Sequence, residues 1–300
     1  MIGRMKEAGG QFSIAESRWM DVFRKSAGPR GDWQQMDRML PPTGERTALE
    51  LGLHNEAISL LLRERGGTWH TGVAERSALN RQRKLLGERV FDCSNPTPLP
   101  FDDETFDLIV LRDLLEWIEA DYAFLRECHR VLKPAGSMIA VAERKARGVI
   151  PLIRSLLGVG DDVLGRIRSG YTQSEMFDIV KDGFDIQEVR VYRRFMASLV
   201  VALEDTGIWN IRCKMVEAGK KEMPDDLEEA QALRALHWKL APLRAIAPAA
   251  DALLFFLPGH RIALRLKRRL WIPRKTPTLS DGRSIADAAI NTRIGSAAPF

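Results

Sequence analysis

The chain has 300 residues, 45% of them hydrophobic and 28% charged, the balance of a folded globular protein with room for one large domain or a domain and an appendage. No run of about 20 apolar residues is present, which excludes a membrane-spanning helix, and the opening MIGRMKEAGGQFS lacks the apolar core of a signal peptide. Cys93, Cys128 and Cys213 form no C-x-x-C or Cys/His pair, so no metal site is predicted and reduced thiols in a cytoplasmic protein are expected, while a net charge of +5 is too small to indicate nucleic acid by itself.

Residues 13–40 carry Trp19, Met20, Val22, Phe23, Trp33, Met36 and Met39 at three- and four-residue spacing, which predicts helix up to the break at Pro41-Pro42-Thr43-Gly44. Strand and helix patterns then alternate. Thr47–Leu51 predicts a first strand, followed by a helix over 55–65 that Gly66-Gly67 stops. Trp69–Ala74 predicts a second strand and 78–86 a helix, and Arg89–Cys93 predicts a third strand. The run LIVL at 108–111 predicts a buried fourth strand, residues 121–132 a helix, and Ser137–Ala142 a fifth strand. Such alternation requires βαβ units, hence a parallel sheet with helices on both faces. Residues 146–170, rich in Leu, Ile and Gly, depart from the pattern and are read as a lid or insertion. Alternation at Ile186, Val189 and Val191 predicts a sixth strand, and Phe195–Leu203 a seventh.

The stretch TALELGLHNEAISLLL at 47–62 is a strand, a turn and a helix, with Glu50 and Gly52 at the junction. It resembles the first motif of class I S-adenosylmethionine-dependent methyltransferases, acidic-x-Gly-x-Gly-x-Gly, with His54 and Glu56 at the second and third glycine positions. PLPFDDETFDLIVLRD resembles the LPF-x-D-x-x-FD segment of small-molecule methyltransferases, and RVLKPAG resembles their RVLKPGG segment. The resemblance covers about residues 45–200 and is nearest to the type 11 methyltransferase family.

The resemblance implies a Rossmann-like α/β fold with a mostly parallel seven-stranded sheet, and S-adenosylmethionine as cofactor. In such sheets ligands sit at the carboxyl ends of the strands. It assigns cofactor contact to Glu50, Gly52 and His54 after the first strand. After the second strand the ribose acid falls on Ala74 or Glu75, with Glu75-x-Ser77 preserving the family's Asp-x-Ser order. After the third, Asp92 or Asn95 meets the adenine. Leu111 and Arg112 line the cofactor. Asp113 faces the substrate as the first candidate for a general base, with Tyr171 second. Glu56 would place a carboxylate beside the cofactor's own unless a cation intervenes.

Three regions are expected: a helical N-terminal segment (1–44), the methyltransferase domain (45–204) and a helical, basic C-terminal extension (205–300). In the extension, Leu253, Leu254, Phe255, Phe256 and Leu257 precede Arg261, Arg265, Lys267, Arg268, Arg269, Arg274 and Lys275. Apolar, cationic and Trp residues together suit an anionic membrane interface across 253–275. A core-packed helix with a solvated basic face is the alternative. Few aromatics and no known motif argue against nucleic acid. The expected function is methyl transfer to a small or lipid-like acceptor by a cytoplasmic protein able to rest on the inner face of the membrane. The alternative is a non-catalytic protein that keeps the fold and binds a membrane or a partner.

Overall fold

The computed structural model describes residues 14–53, 56–74, 76–87, 89–95, 97–145, 149–217 and 226–272. Two helices, α1 (Ile14–Lys25) and α2 (Gly28–Met39), lead into the first strand, β1 (Gly44–Gly52). Then follow α3 (Glu56–Glu64), β2 (Gly66–Val73), α4 (Arg76–Leu86), β3 (Val90–Asp92), β4 (Phe106–Arg112), α5 (Asp121–Val131) and β5 (Leu132–Glu143). This is the alternation expected from the apolar runs.

Two short helices follow, α6 (Val149–Leu156) and α7 (Asp161–Leu164). Helix α8 (Gln173–Val180) opens with a capping box in which Thr172 and Glu175 satisfy each other's backbone amides. Strand β6 (Phe184–Tyr192) follows. The chain then makes a long helical excursion through α9 (Phe195–Glu217), α10 (Asp226–Lys239) and α11 (Ala241–Leu253), and closes with β7 (Arg261–Arg268).

The seven strands form one sheet in the order β3-β2-β1-β4-β5-β7-β6. Neighbours from β3 to β5 are parallel, and β7 runs antiparallel to both β5 and β6. Side chains alternate across the central strands. Leu49, Leu51, Ile109, Leu111, Met138, Ala140, Leu264 and Leu266 pack with Phe124 and Leu125 of α5 and Met176 of α8. Ala48, Leu108, Val110, Ile139, Val141 and Ala263 pack on the opposite face with Met20, Met36, Met39, Ile58 and Leu62 of α1 to α3.

Two expectations are corrected. Phe195–Leu203 is the start of helix α9, and the seventh strand lies at Arg261–Arg268. An apolar run of this length does not by itself distinguish a strand from a buried helix. The basic segment read as a membrane interface therefore has a different place. Its residues 261–268 are inserted between β5 and β6, with Arg261, Ile262, Ala263, Leu264 and Leu266 buried. The helical region after 205 is present, but it returns the chain to the sheet, so residue 204 does not separate sheet from appendage. No described helix is long and apolar enough to cross a membrane. Arg274, Lys275 and the rest of the tail lie outside the described residues.

Candidate active site

A cavity of about 1000 Å³ opens at the carboxyl ends of β1 to β4. Its floor is made by the loops that leave those strands: Leu53 after β1, Ala74 after β2, Ser94 and Asn95 after β3, Leu114 and Trp117 after β4. This is where an open parallel sheet binds its ligand. Its volume stands at the upper end of small-molecule pockets, which run to about 1,000 Å³.

Three helices roof the cavity, each with one stripe. Helix α1 supplies Trp19, Val22 and Phe23. Helix α9 supplies Val201, Glu204, Asp205, Ile208, Trp209 and Arg212, and α10 supplies Glu229, Leu233 and His237. The three- and four-residue spacing places each set on one helix face. Amphipathic stripes that would otherwise face water are thus turned toward a common space.

Glu56, where the family motif has a glycine, is 5% exposed at the first turn of α3. An acid is favoured there by the helix dipole, and the cation its burial requires is present. Arg81 Nε lies 2.8 Å from Glu56, and Arg81 Nη1 lies 3.2 Å from Glu229. The guanidinium also stacks over Trp19, 5.4 Å from the ring centre.

Glu50 is buried beneath this floor. It accepts a hydrogen bond from Ser59 Oγ at 2.8 Å and lies 3.6 Å from Arg112 and 3.7 Å from Arg63. Arg112 in turn donates to the Leu53 carbonyl at 2.9 Å. Glu50 and Arg112 therefore brace the turn from behind. Gly52 is required by the sheet: a Cβ there would stand 2.3 Å from the Arg112 carbonyl oxygen on the neighbouring strand. Leu111 is fully buried in the core.

Of the two residues considered after β3, Asn95 lines the cavity, whereas Asp92 is exposed and accepts from the Ser94 amide. His54 and Glu75 lie outside the described residues.

The candidate bases are engaged elsewhere, and neither is among the cavity-lining residues. Asp113 sits just past β4 with a positive φ of 53°, and its carboxylate pairs with Arg261. Burial pushes its pKa up, but Arg261, Arg112 and Arg193 outweigh this and hold it below the usual carboxylate value. Tyr171 is 3% exposed, shares its one hydroxyl proton between the Leu115 carbonyl and Asp121, and accepts from Arg168. Burial raises its pKa well above that of free tyrosine, so it stays protonated. Asp113 belongs to a buried ion network in which Arg261 also meets Asp32 at 3.0 Å and Arg193 meets Asp32 at 2.6 Å.

Sequence reasoning missed the roof. Asp205, with a third of its side chain accessible and Arg154 at 3.4 Å, lines the cavity. Its crowded surroundings raise its pKa to about 6, against the pull of Arg154 and Arg166. His237 and Glu204 lie beside it on the same wall. The three-residue recurrence in 201–212 was the available signal, and it required reading that segment as helix.

Strand order, the reversed β7 and the ligand cavity at the strand ends together define a class I methyltransferase fold. The Methyltransferase domain family matches residues 49–140. Residues 49–140 thus match a methyltransferase domain, within a chain whose sheet has the class I methyltransferase strand order.

Among solved structures, similar chains include a candidate sarcosine dimethylglycine methyltransferase from Galdieria sulphuraria. It is 13% identical, with 85% of this chain and 98% of that chain covered at a TM-score of 0.49. An S-adenosylmethionine-dependent methyltransferase from Mesorhizobium loti is 13% identical, with 81% and 100% covered at a TM-score of 0.49. The [4+2]-cyclase SpnF is 14% identical, with 85% and 82% covered at a TM-score of 0.46. Among curated protein sequences none matches.

Proposed function

We propose that the chain transfers a methyl group from S-adenosylmethionine to a small, largely apolar acceptor held between the strand ends and the helical roof. The observation that carries this reading is the cavity: the loops after β1, β2, β3 and β4 meet in one open space, and Glu56 in its wall is neutralised by Arg81. A cofactor carboxylate could not approach an unpaired Glu56, but it can approach the Glu56–Arg81 pair.

The residues present fit the cofactor. Leu53 and the turn behind it would face the amino-acid end, Ala74 the ribose, and Asn95 and Leu114 the adenine. The cofactor supplies an electrophilic methyl group on a sulfonium. The protein's part is to align the acceptor and exclude water, which is where most of the gain in such a transfer lies. Trp19, Phe23, Trp117, Ile208, Trp209 and Leu233 give the acceptor side an apolar, aromatic lining.

Calorimetric titration with S-adenosylmethionine and S-adenosylhomocysteine tests the reading. Micromolar binding is expected, and absence of binding at millimolar ligand would overturn it in favour of the non-catalytic alternative. The membrane reading keeps one support, now outside β7: Leu253, Phe255 and Phe256 are each at least two-thirds exposed at the end of α11. Replacing both phenylalanines with serine is expected to reduce sedimentation with anionic vesicles. Unchanged sedimentation would remove the membrane from the proposal.

A further inference from the structure

The roof contains a buried histidine beside a fixed carboxylate, and the catalytic candidates near β4 do not account for it. His237 is 2% exposed and lines the cavity from α10. Its Nδ1 stands 3.3 Å from Oε1 of Glu204 on α9. Glu204 is itself fixed, because its carboxylate accepts the Ala27 amide at 2.9 and 3.0 Å and the Gly28 amide at 3.3 Å, at the start of α2. The start of α2 thus fixes a carboxylate on α9 that faces the imidazole of α10. With Nδ1 turned to Glu204, Nε2 is the ring nitrogen left for the cavity.

The other acids near it are already committed. Glu56 and Glu229 share Arg81, Glu229 also has Arg212 at 3.5 Å, and Asp205 has Arg154. Glu119 stands at the exposed rim. A histidine whose second nitrogen faces a fixed carboxylate has the arrangement that makes imidazole an effective proton acceptor.

Given the methyltransferase reading, on which this inference rests, we propose that His237 is the general base for a hydroxyaromatic acceptor, with Glu204 as its positioning residue. The chemistry of the acceptor follows from two observations. Trp19, Phe23, Trp117 and Trp209 line the same space and suit a planar ring. An aryl hydroxyl, with a pKa of about 10 as in tyrosine, is acidic enough to be assisted by imidazole.

As the aryl oxygen bonds to the methyl carbon, its proton passes to Nε2. The carbon–sulfur bond breaks with its electron pair left on sulfur. One positive charge leaves the sulfonium and one appears on the imidazolium, opposite Glu204.

The test uses the full-length protein and 4-nitrophenol, whose phenolate is coloured and whose neutral form is not. Bound to the cofactor-free protein at a pH below its own pKa, the probe is expected to show the phenolate band. His237→Gln should bind the probe, seen as tryptophan quenching, without that band. Glu204→Gln should retain a weakened band. With cofactor present, His237→Gln should lower kcat about 100-fold or more with little change in KM.

A probe that binds wild type only as neutral phenol, fails to bind, or keeps its band in His237→Gln would overturn the proposal. The wild-type spectrum alone decides the first two cases if a variant fails to fold. S-adenosylmethionine titrated into the same samples separates the two levels. Loss of cofactor binding in wild type would sink the methyltransferase reading, whereas intact cofactor binding without probe ionisation would sink only the role of His237.

Discussion

Arg81 joins Glu56 to Glu229, so a single guanidinium ties the start of α3 to the start of α10 in the cavity roof. Both carboxylates are buried, at 5% and 2% exposure. The substitution of a motif glycine by glutamate is therefore matched by a cation on α4 and a second acid 173 positions further along the chain, at 229 against 56.

Removing that cation leaves Glu229 with Arg212 and takes from Glu56 the ion pair it makes with Arg81. Arg81→Leu is expected to destabilise the protein by about 3–5 kcal/mol, the range for breaking a buried ion pair from one side. Urea denaturation checks this. Adding Glu56→Gln to Arg81→Leu should recover part of the loss, and no recovery would show that the two residues are not energetically coupled.

Gly52 offers a separate test of what holds the β1 turn. Gly52→Ala places a methyl group against a backbone carbonyl that cannot rotate away, and a loss of at least about 1–3 kcal/mol is expected, as for overpacked cores. Reduced cofactor affinity in this variant should accompany reduced stability. A variant of wild-type stability that had lost cofactor binding would instead assign Gly52 to the ligand.

Glu116 lies at the turn after β4, 2% exposed, and accepts the Glu143 amide. Burial, reinforced by Asp113, raises its pKa from 4.5 to about 7 despite the pull of Arg261. The folded state thus holds this proton more tightly than the unfolded chain. Its effect is most favourable below about pH 4.5 and is lost progressively as pH rises to about 7. Glu116→Gln should be more stable than wild type above pH 7, with the difference shrinking toward acid. A difference independent of pH would refute the assignment.

The two kinds of basic residue in β7 should separate cleanly. Arg261 is 2% exposed and meets Asp113, Asp32 and Glu143, so Arg261→Leu is expected to cost about 3–5 kcal/mol. Lys267 is exposed on the same strand, and Lys267→Gln should stay within about 0.5 kcal/mol of wild type. Equal effects in a denaturant titration would contradict the placement of the strand.

The first six strands were legible because each is a short apolar run bounded by glycine, proline or a helix with clear periodicity. The seventh was not. In RIALRLKR the apolar positions Ile262, Leu264 and Leu266 alternate with cations, the pattern of a surface segment, and only the tertiary structure shows that Arg261 faces buried acids of α2 and β5. Residues 195–203 erred in the opposite direction, because a β-branched apolar run suits a strand until its three-residue recurrence is extended to Arg212. The floor of the cavity followed from the strand ends, with Asn95 among its lining residues. The roof could not follow, since Glu204, His237 and Ala27 become neighbours only through helix packing. Asp113 follows β4 as the strand pattern implied, and its carboxylate pairs with Arg261 of the strand that the sequence did not reveal.

The placement of β7 also bears on how the protein is made. Among the described residues strand β6 pairs with β7 alone, and the 68 residues from 193 to 260 separate them. During synthesis β5 and β6 must wait, with unpaired edges, until residues 261–268 have left the ribosome. That exposure favours slow completion and mispairing. A premature stop shortly before residue 261 should therefore yield a chain that aggregates rather than a shortened folded protein.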